Sequence, residues 1–271
     1  MTCRFTSNDR SFNLKRISSL KCRKKWLHLL VFNFKYIIMH VFYTPDILSD
    51  SELPSEEAGH CVRVLRLNVG DEVTLTDGKG YFYKAAISAA TSKRCQVRII
   101  EQIFQEPLWK GHLHIAMAPT KMMDRIEWFA EKATEIGIDE ITFLNCRYSE
   151  RKVIKTERVE KIVVSAVKQS LKARKPVINE MTDFNKFINQ DFKGDKFIAH
   201  CNEGEKVLLK DAIVPGNDAL ILIGPEGDFS IEEVEMAIEK GFKPVSLGKS
   251  RLRTETAALV AVHTMNMLNA E

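Results

Sequence analysis

From residue 112 onward, apolar strand-like runs alternate with segments of helical periodicity, and this alternation constrains the fold more than any other feature of the chain. HLHIAMA (112–118), ITFLN (141–145), FIAH (197–200), ALILI (219–223) and PVSL (244–247) read as strands. Between them, residues 124–136 place Ile126, Phe129, Ala130, Ala133 and Ile136 on one helical face, with Gly137 as its C-cap. Further helices are expected over 157–173, ended by Pro176, and over 231–240 and 255–268. Strands that alternate with helices return in the same direction, so the expected class is α/β, a parallel sheet covered on both faces.

The preceding stretch has a different pattern. Residues 41–43, 72–76, 81–87 and 95–100 are rich in β-branched and aromatic side chains, and Asp77-Gly78-Lys79-Gly80 reads as a hairpin turn between two of them. One helical piece, 55–67, interrupts the strands. The expectation is a small, mostly antiparallel domain, barrel-like because several short strands must hide their edges. Residues 101–110, with Pro107, form the expected linker. The domains are therefore drawn at 39–106 and 107–271.

Charge is unevenly distributed. Residues 1–38 carry nine Lys or Arg against Asp9 alone, leaving 31 bases and 35 acids beyond them. The body is mildly acidic, and any nucleic-acid contact must come from local basic patches. Within 1–38, WLHLLVFNFKYII is interrupted by His28, Asn33 and Lys35, too short and polar to span a bilayer and without a small-residue cleavage site. The stretch reads as an atypical basic extension, unfolded or translated from an upstream start, with a basic RNA-binding arm as the alternative. Cysteines at 3, 22, 61, 95, 146 and 201 form no CxxC pair, which argues against a zinc site or disulfide framework and for a reducing cytoplasm. No metal is expected.

Two loops carry the chemical signal. ALILI stops at Gly224-Pro225-Glu226-Gly227, and Ser230 with Glu233 then forms a capping box, with Phe229 and Val234 as its staple. The glycines allow a ligand to approach the main chain closely, although a tight turn with a solvated Glu226 satisfies the same residues. In LGKSRLRTETAAL (247–259), Gly248 again follows a strand, and Thr254 or Thr256 can cap the final helix. GKS does not complete a phosphate loop, because position 243 is Lys rather than Gly. No GxGxxG is present. Both loops leave the carboxyl ends of strands, where open α/β sheets bind ligands. They suit an adenosine-type ligand held by backbone groups and apolar walls.

IGPEGDFS followed by LGKSRLRTETAAL closely resembles the RsmE-type 16S rRNA uridine-N3 methyltransferases of the SPOUT class. HCVRVLR (60–66), KMMDRIEW (121–128), EKATEIG (131–137), RYSERK (147–152) and KQSLKARKP (168–176) extend the resemblance, in order, over residues 39–271. It implies a PUA-like β-barrel domain followed by a SPOUT domain with a deep trefoil knot, acting as a homodimer. The implied cofactor is S-adenosylmethionine, held by Ala199, His200, Ile223, Gly224, Pro225, Glu226, Gly227, Leu247, Gly248, Leu252, Arg253 and Thr254. The implied partner is 16S rRNA within the assembled small subunit, in the cytoplasm and away from any membrane. One departure falls at Asp228, where many relatives carry another glycine.

His60, Arg63 and Arg66 recur at three-residue spacing. They form either a solvated stripe or, as the resemblance implies, a phosphate-binding face. Lys121, Arg125, Arg147 and Lys152 are the RNA-binding candidates of the larger domain, and Lys172, Arg174 and Lys175 add further basic groups. Methylation at uridine N3 requires loss of the N3 proton and in-line orientation. Arg253 and Arg151 are the candidates for stabilising the developing negative charge. Glu150 or Glu255 is the candidate proton acceptor, each equally able to pair with a nearby base. The alternatives are methylation of another RNA position, or a non-catalytic RNA-binding ribosome-assembly protein.

Overall fold

The structure, a computed structural model, describes residues 40–270, so the basic extension expected over 1–38 lies outside the described residues. Strands pair into two sheets. The first contains β1 (Val41–Tyr43), β2 (Glu72–Thr76), β3 (Tyr81–Ala90) and β4 (Cys95–Phe104), in that order. β2–β3 and β3–β4 are antiparallel, whereas β1–β2 is parallel. The pairings do not return from β4 to β1, so strand bonding leaves this sheet open where a barrel was expected. An isolated bridge between Glu52 and Gln96 covers the start of the β4 edge.

The helix expected over 55–67 needs correction. It is an α-helix, α1 (Ser55–Gly59), that widens into a π turn over His60–Val64, where the Leu65 N–H reaches the His60 carbonyl. A π turn advances the chain differently from an α-helix, so three-residue spacing no longer defines a stripe. Arg66 lies beyond the turn in the left-handed region, at φ 57°.

The second sheet is parallel throughout. Its strands are β5 (Leu113–Met117), β6 (Glu140–Asn145), β7 (Val177–Asp183), β8 (Asp195–Ala199), β9 (Val207–Leu208), β10 (Ala219–Ile223) and β11 (Lys243–Ser246). They are ordered β7-β6-β5-β10-β8-β11-β9. All five residues of both β5 and β10 are buried, as central strands covered on both faces require. Side chains alternate between two cores. Leu113, Ile115, Met117, Ile221 and Ile223 meet α2 (Met123–Ile136), α3 (Thr156–Gln169) and α7 (Thr254–Asn269) on one face. Ala116, Leu220 and Leu222 meet α4 (Phe184–Ile188) and α6 (Ile231–Glu239) on the other. The short α5 (Leu209–Ala212) follows β9.

The capping box at Ser230 and Glu233 is present. The cap of α7 is Arg253, with no side-chain bond, in place of the expected Thr254 or Thr256. The two sheets meet along residues 171–175. Ala173 is buried with Val41 and Phe82, the Gly80 N–H donates to the Ala173 carbonyl at 2.8 Å, and the Lys175 N–H donates to Gly78 at 2.9 Å. Arg174 lies over the Phe104 ring, 5.6 Å from its centroid, and Lys175 pairs with Glu160 at 2.6 Å. Arg174 and Lys175 of KQSLKARKP thus belong to this seam.

Candidate functional site

Because β5, β10, β8 and β11 are neighbours and parallel, the loops that leave their carboxyl ends share one edge. Sequence spacing cannot reveal this adjacency; strand order creates it. Ala199 and His200 leave β8, Gly224-Pro225-Glu226-Gly227 leaves β10, and Leu247-Gly248 leaves β11. Ile223, Gly224 and Pro225 are buried, Glu226 and Gly227 are exposed, and Leu247 and Leu252 are half-buried.

The loops are bonded to one another. The Glu226 carboxylate accepts the Lys121 backbone N–H at 2.9 Å, joining the β10 loop to the β5 loop. Arg151, in the loop after β6, donates Nε to the Thr120 carbonyl at 3.0 Å and Nη2 to the Lys121 carbonyl. On the other side, Asp228 accepts the Cys201 N–H at 2.7 Å and the Phe229 N–H at 2.9 Å, joining the β10 and β8 loops. Asp228 stands at φ 68°, the left-handed region open to glycine without cost. This tie was missed in the sequence, where the only signal was a carboxylate at a position that many relatives give to glycine.

Each glycine has its own reason. A Cβ on Gly224 would sit 3.1 Å from the Phe229 ring and backbone nitrogen, and one on Gly227 would sit 3.2 Å from the Tyr148 Cβ. Gly248 instead adopts φ 124° and has no atom within 4 Å of an added Cβ. Gly224 and Gly227 are favoured by tight packing, Gly248 by its backbone conformation beside open space.

The edge fits an adenosine-type group. Both ring nitrogens of His200 are buried without a partner, a donor and an acceptor left for something else to meet. Burial, with Lys206 nearby, pushes the His200 pKa down against the pull of Asp228, so the ring is neutral at pH 7. A cleft of about 960 Å³ opens at the opposite, amino edge, lined by Trp109, Lys110, Asp139 and Arg174, and shares none of these loops.

The charged candidates divide by their partners. Lys121 pairs with Glu150 at 2.9 Å, Arg147 with Glu232 at 3.1 Å, and Arg125 lies 3.8 Å from the buried Glu255. Lys152 donates to Asn145 and to the Cys146 carbonyl. By contrast, His60, Arg63 and Arg66 are exposed, and no polar group among the described residues partners their side chains. His60 stands edge-on to Phe42, centroids 6.1 Å apart. Arg253 is likewise exposed and unpaired, whereas Arg151 is spent on backbone carbonyls.

Residues 107–266 match the family model described as an RNA methyltransferase domain, and residues 53–100 match the RNA methyltransferase PUA domain. That pair defines the class: an α/β RNA methyltransferase carrying a PUA-like domain ahead of its parallel sheet. The ribosomal RNA small subunit methyltransferase E of Rickettsia conorii is 32% identical over 82% of this chain and 91% of its own. A probable rRNA-methyltransferase from Porphyromonas gingivalis shares 47% identity at TM-score 0.82, over 86% of this chain and 99% of that one. A ribosomal RNA small subunit methyltransferase E from Neisseria gonorrhoeae, solved bound to S-adenosyl methionine, shares 28% at TM-score 0.76, over 85% and 98%. The chain belongs to the RsmE-type family of small-subunit ribosomal RNA methyltransferases.

Proposed function

We propose that this protein transfers a methyl group from S-adenosylmethionine to N3 of a uridine in small-subunit 16S rRNA. The observation that carries the reading is the edge shared by the loop after β8 and the glycine loops after β10 and β11, with the unpartnered His200 in its wall. Ala199, His200, Ile223 to Gly227, Leu247, Gly248 and Leu252 to Thr254 would hold the cofactor, which supplies an electrophilic methyl carbon on a sulfonium leaving group.

The chain's residues have the remaining work. Uridine N3 is protonated at neutral pH, so a bond from N3 to the methyl carbon requires that its proton leave and that the negative charge on the ring be stabilised. Arg253, unpaired at the lip of this edge, is the cation for that charge. Arg151 acts on the loop at 120–121, holding the backbone that Glu226 grips. Glu150, exposed beside Lys121, accepts the proton. His60, Arg63 and Arg66 contact phosphates from the PUA-like domain, with Lys121, Arg125, Arg147 and Lys152 behind them.

Three further features belong to this reading. The insertion of β10 between the earlier strands β5 and β8 supports a deep trefoil knot. Exposed Met122, Tyr148, Val153 and Ile231 around the carboxyl edge support a homodimer whose second copy helps present the uracil within the assembled subunit in the cytoplasm. The end of β4 at Phe104 and Pro107 support a domain boundary at 106. The experiment is mass mapping of methyluridine in small-subunit rRNA from cells with and without the protein. One N3-methyluridine should vanish on deletion, and an unchanged inventory refutes the substrate.

A further inference from the structure

Besides Lys175 with Glu160, the seam between the sheets holds an ion pair that ties α1 to α3 and that the site does not use. Glu57, on α1, receives a hydrogen bond from the Lys168 ammonium, in the last turn of α3, at 2.6 Å. The two side chains are only 10% and 24% exposed. The second carboxylate oxygen, Oε2 of Glu57, is buried without a partner. A pair so incompletely satisfied is a poor way to stabilise a seam, because an apolar pair of similar volume generally does as well or better. What a charge-assisted bond supplies that apolar contact does not is direction.

Direction matters at this place. α1 runs straight into the turn that carries His60 and Arg63, the exposed groups with no polar partner. Arg63 is laid back over the same helix: a Cβ on Gly59 would be 2.5 Å from its Nη2. The hairpin at Gly78–Gly80 already bonds the small sheet to residues 173–175 through backbone groups. A single line of attachment leaves rotation about itself, and the Val41, Phe82 and Ala173 contact is apolar and permits sliding. Glu57 and Lys168 attach a second element of the small domain, the helix that leads into His60 and Arg63.

We propose that Glu57 and Lys168 are positioning residues that fix the His60–Arg63 face at a set angle to the catalytic edge and thereby govern capture of the RNA, not methyl transfer. This rests on the functional reading above. The test compares E57Q, the double variant E57M/K168M and the conservative K168R, using small ribosomal subunits purified from cells lacking the protein. Wild-type protein should bind and methylate these subunits. E57Q and the double variant should raise KM for subunits by about tenfold, the scale of one lost charge-assisted contact. Their kcat and their affinity for S-adenosylhomocysteine should stay at wild-type values. K168R should keep the wild-type KM. The double variant separates the roles, because it removes the buried charge and should retain wild-type thermal stability. If it also keeps the wild-type KM, or if KM and kcat change together in step with the melting temperature, the pair is structural and the proposal is overturned. If wild-type protein binds no subunits, the proposal and the functional reading fall together.

Discussion

The Asp228 carboxylate accepts the Cys201 backbone N–H at 2.7 Å, across 27 residues of sequence, and so fixes the β10 loop against the β8 loop. The same side chain accepts the Phe229 N–H from a residue held at φ 68°. Two opposing effects therefore meet at one position. A non-glycine residue there has a conformational cost of about 1 kcal/mol, and two hydrogen bonds to an ionised acceptor exceed it at about 1.5–3 kcal/mol each. Asp228→Gly should weaken binding of S-adenosylhomocysteine about tenfold by calorimetry, and Asp228→Ala, which loses the bonds and keeps the strained backbone, should weaken it more. Equal affinity in all three proteins would mean that the tie does not shape the site.

Gly224 and Gly248 should respond differently to a methyl group. Gly248→Ala meets no atom, so its cost is backbone strain, of order 1–3 kcal/mol, and falls on the conformation of the β11 loop. Gly224→Ala presses on Phe229 inside a packed core, where an overpacked methyl costs about 1–3 kcal/mol of global stability. Thermal melts should show the larger loss for Gly224→Ala, and cofactor titration the larger loss of affinity per degree of melting for Gly248→Ala. A reversed order would contradict the roles given to the two glycines.

Arg253 and Arg151 were indistinguishable as candidates in the sequence, and their partners now separate them. Among the described residues the Arg253 side chain has no partner to lose, so Arg253→Ala should leave the melting temperature within about a degree while kcat falls about a hundredfold, the scale of a lost donor to developing charge. Arg151→Ala leaves the Thr120 and Lys121 carbonyls without donors and should lower both stability and cofactor affinity. Single-turnover rates beside melting curves distinguish the two, and a kcat effect confined to Arg151→Ala would reverse the assignment.

What the sequence made readable was what local chemistry decides. ALILI is buried on every residue and was read to the residue, and the capping box at Ser230 and Glu233 formed as spaced. β7, VINEMTD, escaped notice because in this half-buried edge strand polar residues interrupt Val177, Ile178 and Met181, leaving no apolar run to announce it. The π turn after Gly59 escaped because it spans only the 5 residues His60–Val64, too short a run for a period of its own to show in the sequence. The candidate cofactor residues were named through the family resemblance, and the adjacency of their loops depends on β10 entering between β5 and β8, a long-range fact. Ties such as Asp228 to Cys201 and Glu57 to Lys168, the latter 111 residues apart, are of the same kind.

At the amino end of the sheet, His114 makes the fold sensitive to acid. Its Nε2 meets the Thr142 hydroxyl at 2.7 Å, its Nδ1 lies 3.8 Å from Glu140, and Phe187 closes over it edge-on. Burial pushes its pKa down to about 4, with the Glu140 charge opposing and His112 adding. The folded value lies below the ordinary histidine value of about 6.5, so the unfolded chain binds the proton first. The stability this group contributes is whole above about pH 6.5 and is lost as pH falls towards 4, a change of about 3 kcal/mol for a shift of this size. Glu140 moves in a lower window. The hydrogen bond with His112, at 2.8 Å, holds its pKa down to about 2, so its contribution persists to about pH 4.5 and disappears below. That same bond raises His112, whose contribution is present below pH 6.5 and is lost as pH rises through its raised value. His112 and Glu140 are 39% and 25% exposed, and solvent screening keeps their share small. Between pH 6.5 and 4 the slope is therefore carried by His114 together with His200, which burial also pushes down, and is opposed by the buried Asp139, whose pKa is raised. His114→Gln, which keeps a polar group beside Thr142, should flatten the decline of melting temperature across that interval, while His112→Ala should leave it in place and lessen the loss below pH 4.5, because Glu140 then lacks the bond that holds its pKa down. Calorimetric melts from about pH 2 to 8 measure both, and an undiminished slope in His114→Gln would place the acid-labile group elsewhere in the protein.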